Sequence, residues 1–200
     1  MIVSSSLRNI LLLSVLAVTA LPRGGGTGAV ESSRAQEPEV VVKDTLDGGF
    51  YAAGRIHIPA VDAQVWDVIS DFDNLTSFIP NMPESEIVAE RDSVMIVRQK
   101  INSRYFLFSK SIELTLQIVE HPPNALHFEL VEGPFWYYRG GWHIDSASST
   151  SGVWLSYRLL MKPDFFSTAS AIKTIMRKQL KETLLGVGEE VKRRYSGENP

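Results

Sequence analysis

The pattern of apolar and polar positions changes period along this chain, and the changes mark its elements. Val40 to Leu46 and Phe50 to Ile58 flank Asp47-Gly48-Gly49, a β-hairpin pattern in which Asp-Gly supplies the positive φ of a tight turn. Asp62 then reads as the N-cap of a short helix whose Val65, Val68, Ile69 and Phe72 recur at helical spacing. Leu75 to Pro80 predicts a second short helical turn, stopped by Pro80 and Pro83. Strands follow at Ile87–Glu90, Val94–Ile101, Phe106–Val119, Leu126–Val131, Phe135–Ile144 and Val153–Lys162. The clearest alternates Ile112, Leu114, Leu116 and Ile118 with Glu113, Thr115 and Gln117, one face dry and one wet. Turns are signalled at Arg91-Asp92-Ser93, at Pro122-Pro123-Asn124 and in the Ser-rich stretch 146–151. Such short connections favour an antiparallel meander.

After Pro163-Asp164 comes the only long helical pattern: Ile172, Ile175, Met176, Leu180, Leu184, Val187 and Val191, three or four residues apart. Gly186 and Gly188 are expected to weaken or bend its last third. The prediction is an α+β domain over 38–197, a curved antiparallel sheet of about six to seven strands around a long C-terminal helix, with two short helices after the first strands.

The start of the chain is different. Arg8 precedes an uncharged run from Ile10 to Leu21, closed by Pro22 and Arg23. A positive n-region before an apolar core of this length predicts export by a signal peptide; an uncleaved anchor and an organelle transit peptide are the alternatives. The Gly- and Ser-rich remainder to residue 35 reads as a linker.

Charge and composition narrow the chemistry. The formal net charge is −3, although residues 1–35 carry three arginines and one acid. The remaining body is therefore acidic and a poor partner for nucleic-acid phosphates. With no cysteine, thiolate zinc sites, thiol nucleophiles and disulfide frameworks are excluded. There is no Gly-x-Ser-x-Gly elbow, and Gly24-Gly25-Gly26-Thr27-Gly28 lacks the lysine of a phosphate loop. His57, His121, His127 and His143 show no i, i+4 spacing, so neither a metal nor another cofactor is expected. Asp71-Phe72-Asp73 reads as a helix end entering a turn rather than as a cation site.

Two segments carry a family resemblance. Ile58-Pro59-Ala60, Val65-Trp66-Asp67-Val68, Ser70-Asp71-Phe72 and Leu75-Thr76-Ser77-Phe78-Ile79-Pro80 form the first; Phe128 to Phe135 with Gly141-Trp142 form the second. Together they resemble the coenzyme Q-binding, polyketide cyclase-like branch of the START (SRPBCC) superfamily, over roughly Val40 to Tyr195. The resemblance implies a helix-grip (START/Bet v 1-like) fold that binds an apolar small molecule, often a quinone or other isoprenoid lipid, with possible peripheral membrane association. Candidate ligand contacts are Ile172, Ile175, Met176 and Leu180 on the helix, with Trp66, Phe72, Phe78, Phe106, Phe108, Phe128 and Trp142 on the sheet and its mouth. Leu75 to Pro80 is a candidate lid. An enzyme of this fold, an aromatase or cyclase, would need an acid or base in the groove; His143, Arg139, Tyr157 and Arg158 are the candidates. Strand parity separates Tyr137, Arg139, Gly141 and His143 from Trp136, Tyr138, Gly140 and Trp142, but does not say which set points inward. Gly140-Gly141 is expected to mark a bulge or bend. A third possibility is an interaction module with a filled core.

Overall fold

The computed structural model describes residues 37–105, 108–146 and 151–197. The N-terminal segment, and with it the reading of residues 1–35, lies outside them.

Eight strands form one antiparallel sheet, one or two more than expected: β1 (Glu39–Asp44), β2 (Phe50–Ile58), β3 (Glu84–Arg91), β4 (Val94–Tyr105), β5 (Phe108–His121), β6 (Ala125–Glu132), β7 (Phe135–Ser146) and β8 (Val153–Pro163). Their spatial order is β1-β2-β8-β7-β6-β5-β4-β3. Between β2 and β3 the chain crosses from one side of the sheet to its far edge through α1 (Asp62–Ile69) and a 3-10 helix (Phe72–Ser77). The closing helix α2 (Ala169–Tyr195) lies along β1 and β2 and meets α1. This is the helix-grip arrangement.

Local chemistry explains the turns. In the β1–β2 turn Gly48 has φ +80° and the Thr45 N–H donates to the Gly49 carbonyl at 2.9 Å. The Asp47 carboxylate accepts from Thr45 at 2.5 Å and from the Tyr137 hydroxyl at 2.9 Å, and Lys162 Nζ donates to the Asp47 carbonyl. Those hydrogen bonds, Thr45 first and Tyr137 second, hold the Asp47 carboxyl at about 2.

Helix starts differ slightly from the sequence reading. Asp62 is the first residue of α1 and Val61 its cap; Val61 has no side-chain acceptor, and its own N–H donates to Gln64 Oε1 at 3.3 Å. The Asp62 carboxylate instead accepts from the Ala63 N–H. Thr168 caps α2 by accepting from the Ala171 N–H at 3.3 Å.

Two glycine expectations are corrected. α2 runs unbroken through Gly186 and Gly188. A Cβ on Gly186 would sit 2.3 Å from the Phe78 carbonyl oxygen, so this glycine is where the helix backbone touches the loop after the 3-10 helix. Likewise, the β6–β7 and β7–β8 registers pass through Gly140-Gly141 without a bulge. A Cβ on Gly140 would strike the Arg158 carbonyl at 2.0 Å and the Phe128 ring at 2.8 Å. The irregularity in β7 lies instead between Phe135 and Tyr137.

The core is continuous at the C-terminal end of α2. Leu184, Val187 and Val191 are at most 2% exposed there, as are Val65, Val68 and Ile69 of α1. Glu190 is buried beside them at 5% exposure and is held by Arg193 at 2.6 Å and Arg194 at 2.8 Å. Arg194 also reaches Asp71 at 2.6 Å and Asp67 at 3.5 Å. Asp73 turns elsewhere and accepts from the Ile87 N–H. The two carboxylates of Asp71-Phe72-Asp73 therefore tie the short helices to α2 and to β3 separately.

Candidate functional site

Towards the N-terminal half of α2 the sheet and helix do not close on each other. They enclose a cavity of about 720 Å³, within the usual range of roughly 300–1,000 Å³ for small-molecule sites. The inward rows of β4 to β8 form its wall: Ile112, Leu114, Leu116 and Ile118 from β5, Leu126 and Phe128 from β6, Tyr157, Leu159 and Met161 from β8. The period-two pattern of β5 thus presents its dry face to the cavity. α2 supplies Ala171, Ile172, Ile175, Met176, Gln179, Leu180, Thr183 and Val187, and the loop before it Phe165, Phe166 and Ser167.

Among the described residues lining the cavity there is no charged side chain; the residues with polar groups are Gln99, Tyr138, Trp142 (its indole N–H), Tyr157, Ser167, Gln179 and Thr183. Gln99 donates to Ser85 at 3.4 Å. Tyr138 and Tyr157 hydrogen-bond to each other, and burial pushes both phenols above the usual tyrosine range, Tyr157 further than Tyr138. Phe128 lies 5.7 Å from each ring, stacked on Tyr157 and tilted to Tyr138, while Trp142 meets Tyr157 edge-on at 4.6 Å.

Of the candidate ligand contacts, the structure brings Phe72, Phe128, Trp142, Ile172, Ile175, Met176 and Leu180 together around the cavity. Trp66 and Phe78 are not among its lining. Both are partly buried against the core, Trp66 on α1 and Phe78 at the end of the 3-10 helix, where Arg194 lies over its ring at 5.9 Å. Phe106 and the side chain of Phe108 lie outside the described residues. Leu75, Ile79 and Pro80 do face the cavity, with Leu75 and Ile79 at most 8% exposed.

The four candidate acid–base groups separate. Only Tyr157 points inward. Arg139, His143 and Arg158 line a shallow groove on the outer face of the sheet with His121, His127 and Glu129; His143 pairs with Asp145 at 2.9 Å. The inward set of β7 is Tyr138, Gly140, Trp142 and Ile144, whereas Trp136 is 74% exposed because the Phe135/Tyr137 bulge shifts the alternation. Three histidines share the outer groove, yet no group of metal-ligating side chains occurs among the described residues.

Sequence reasoning missed Tyr138, Gln99, Gln179, Thr183 and the Phe165–Ser167 loop. Ile144, 1% exposed, held the missing signal for β7. It is the aliphatic residue at the strand's far end, and its parity is that of Tyr138 and Trp142.

These features place the chain in a family. It belongs to the polyketide cyclase/dehydrase and lipid-transport family, whose model matches residues 58–185, within the START-like superfamily. None of the curated proteins matches the chain significantly. Among solved structures it is similar to a STAR-related lipid transfer protein from Xanthomonas axonopodis, with 13% identity, 80% of this chain and 97% of that one covered, and a TM-score of 0.63. The Zhui aromatase/cyclase from Streptomyces sp. R1128 gives 14% identity, coverage of 78% and 95%, and 0.62. Human StAR-related lipid transfer protein 5 gives 10% identity, coverage of 80% and 84%, and 0.62. At these identities the likeness is one of fold.

Proposed function

We propose that the protein binds and carries an apolar small molecule, a quinone or other isoprenoid lipid, without converting it. The observation that carries this reading is the cavity itself, about 720 Å³ with an uncharged and predominantly aliphatic and aromatic lining. Such a volume suits an organic ligand, and a filled interaction module has no use for it. The family's span of lipid transport and cyclase chemistry supports apolar binding in general terms. The quinone class rests on the motif resemblance at residues 58–80 and 128–142. The apolar run Ile10 to Leu21 supports action after export, which fractionation of the host and sequencing of the mature N-terminus would check.

The test is mass spectrometry of organic extracts from protein purified gently from its own host. A co-purifying quinone or isoprenoid, absent from a Met176→Arg variant with an unchanged far-UV spectrum, is the expected result. Ready uptake of apolar probes by protein with an empty extract would turn attention to substrates.

One observation favours a second reading, cyclisation or dehydration of a polyketide-like substrate: the phenol pair inside the cavity is its sole candidate proton donor with a perturbed pKa among the described residues. Turnover abolished by Tyr157→Phe with binding retained would establish it.

A further inference from the structure

The polar atoms of the cavity are few and unevenly distributed, and one cluster combines a donor with flat surfaces. Tyr138 and Tyr157 stand on neighbouring strands, with Tyr157 opposite Trp142 in the β7–β8 register. Their two hydroxyls share one hydrogen bond between them. Two phenols carry two O–H donors, and a single bond uses one. The second proton is left to point at whatever occupies the cavity. Around it the Phe128, Tyr157 and Trp142 rings provide apolar faces and edges, which suit a planar group. Ring burial keeps both phenols protonated, as donors rather than phenolates.

The lining also excludes a class of ligand. With no cation among the described lining residues, a carboxylate or phosphate inside would lose its water without gaining a counter-charge, among the costliest burials a site can make.

We infer that the Tyr138–Tyr157 pair is a head-group subsite that selects an uncharged ligand, one bearing an acceptor oxygen on a flat ring and an apolar tail that runs along the aliphatic wall towards Ile172 and Met176. This rests on the carrier reading and sharpens it: free fatty acids, prenyl phosphates and oxygen-free hydrocarbons are disfavoured, and ring ketones or quinones are preferred.

The test is displacement of a fluorescent apolar probe by three competitors sharing one geranylgeranyl tail: a benzoquinone, the corresponding benzene and a benzoate. Wild type should bind the quinone about fivefold to tenfold more tightly than the hydrocarbon, the ratio a single buried hydrogen bond of ordinary strength gives. The benzoate should be weaker still at pH 8. The double variant Tyr138→Phe/Tyr157→Phe, which removes both O–H donors, should cut quinone affinity about fivefold to tenfold and leave the hydrocarbon unchanged. Equal binding of quinone and hydrocarbon by wild type would overturn the subsite while leaving the carrier reading standing. So would a quinone preference that survives the double variant, and its disappearance in Gln179→Leu would move the head group to α2. If neither compound displaces the probe and the probe itself is not taken up, the carrier reading fails and the subsite with it. The wild-type comparison needs no substitution, so a variant that misfolds does not remove the test.

Discussion

The two halves of α2 carry one continuous aliphatic stripe and meet different surroundings. From Leu184 to Tyr195 the stripe is closely packed: Leu184 and Val191 are essentially inaccessible, Val187 is buried at the cavity's end, Gly186 touches the Phe78 backbone, and Arg194 gathers Glu190, Asp71 and Asp67. From Ala169 to Thr183 the same spacing faces the cavity. This half is tied to β1 and the residues just before it mainly at the surface, through Lys173 to Asp44 and Lys181 to Glu37, both at 2.6 Å, and Arg177 to the Val42 carbonyl. Exposed pairs of this kind each contribute roughly 0–1 kcal/mol. Close packing and the cavity wall therefore fall to different ends of one helix, which leaves the cavity end free to vary without unfolding the grip.

Substitutions can break that comparison, and the largest expected effect falls on the packed half. Leu184→Ala should cost about 3 kcal/mol in urea unfolding, because a fully buried leucine leaves a cavity behind. Met176→Ala should cost about 1 kcal/mol, because part of its side chain already borders empty space. Equal losses would show that the two halves are packed alike.

The two glycines give a second contrast. Alanine in mid-helix normally gains about 1 kcal/mol over glycine. Gly188→Ala should show that gain, its nearest neighbours standing at 3.6 and 4.0 Å. Gly186→Ala should instead lose about 1–3 kcal/mol to the contact with the Phe78 carbonyl. Paired thermal melts would reveal whether the signs are opposite.

Acid should act on the packed half first. Hydrogen bonds from Arg193 and then Arg194 hold the Glu190 carboxyl at about 2, against an ordinary 4.5. A depressed carboxylate pKa stabilises the fold above the unfolded value and loses that contribution as pH falls. Stability should therefore decline between about pH 4.5 and 2, and Glu190→Gln should flatten that part of the curve. An unchanged slope in the variant would assign the acid sensitivity elsewhere.

The smallest effect is expected farthest from the cavity. His143→Ala and Arg158→Ala, on the outer face, should leave uptake of an apolar probe within about twofold of wild type. A large loss in either would mean that the outer groove takes part in binding.

Much of this division was legible in the residues and some was not. The α2 stripe and the β5 alternation were readable because period and burial coincide there. The inward face of β7 was not, because its two faces both carry aromatics and a bulge resets the count between Phe135 and Tyr137. Trp66 and Phe78 were assigned to the ligand on aromatic character alone; their position depends on how α1 meets α2, a long-range contact that no local pattern encodes. Gly186 looked like a weak point because propensity counts only the helix, whereas the close approach comes from a residue more than a hundred positions earlier. Glu190 with Arg193 and Arg194 had the right spacing for i, i+3 and i, i+4 pairing, but burial of the acid needed the fold.

The pairing of β2 with β8 joins strands from the two ends of the domain, Phe50 opposite Met161. During synthesis β2 emerges early and has only β1 to pair with until β8 has been made. Sheets that depend on such distant partners form slowly, and α2, which covers the trough, is made after every strand of the sheet. A growing chain therefore keeps one edge of β2 open until β8 is made, and any product shortened before Val153 lacks both that partner strand and the helix. The domain is completed by α2, so a truncation inside that helix should be far more damaging than the loss of β1.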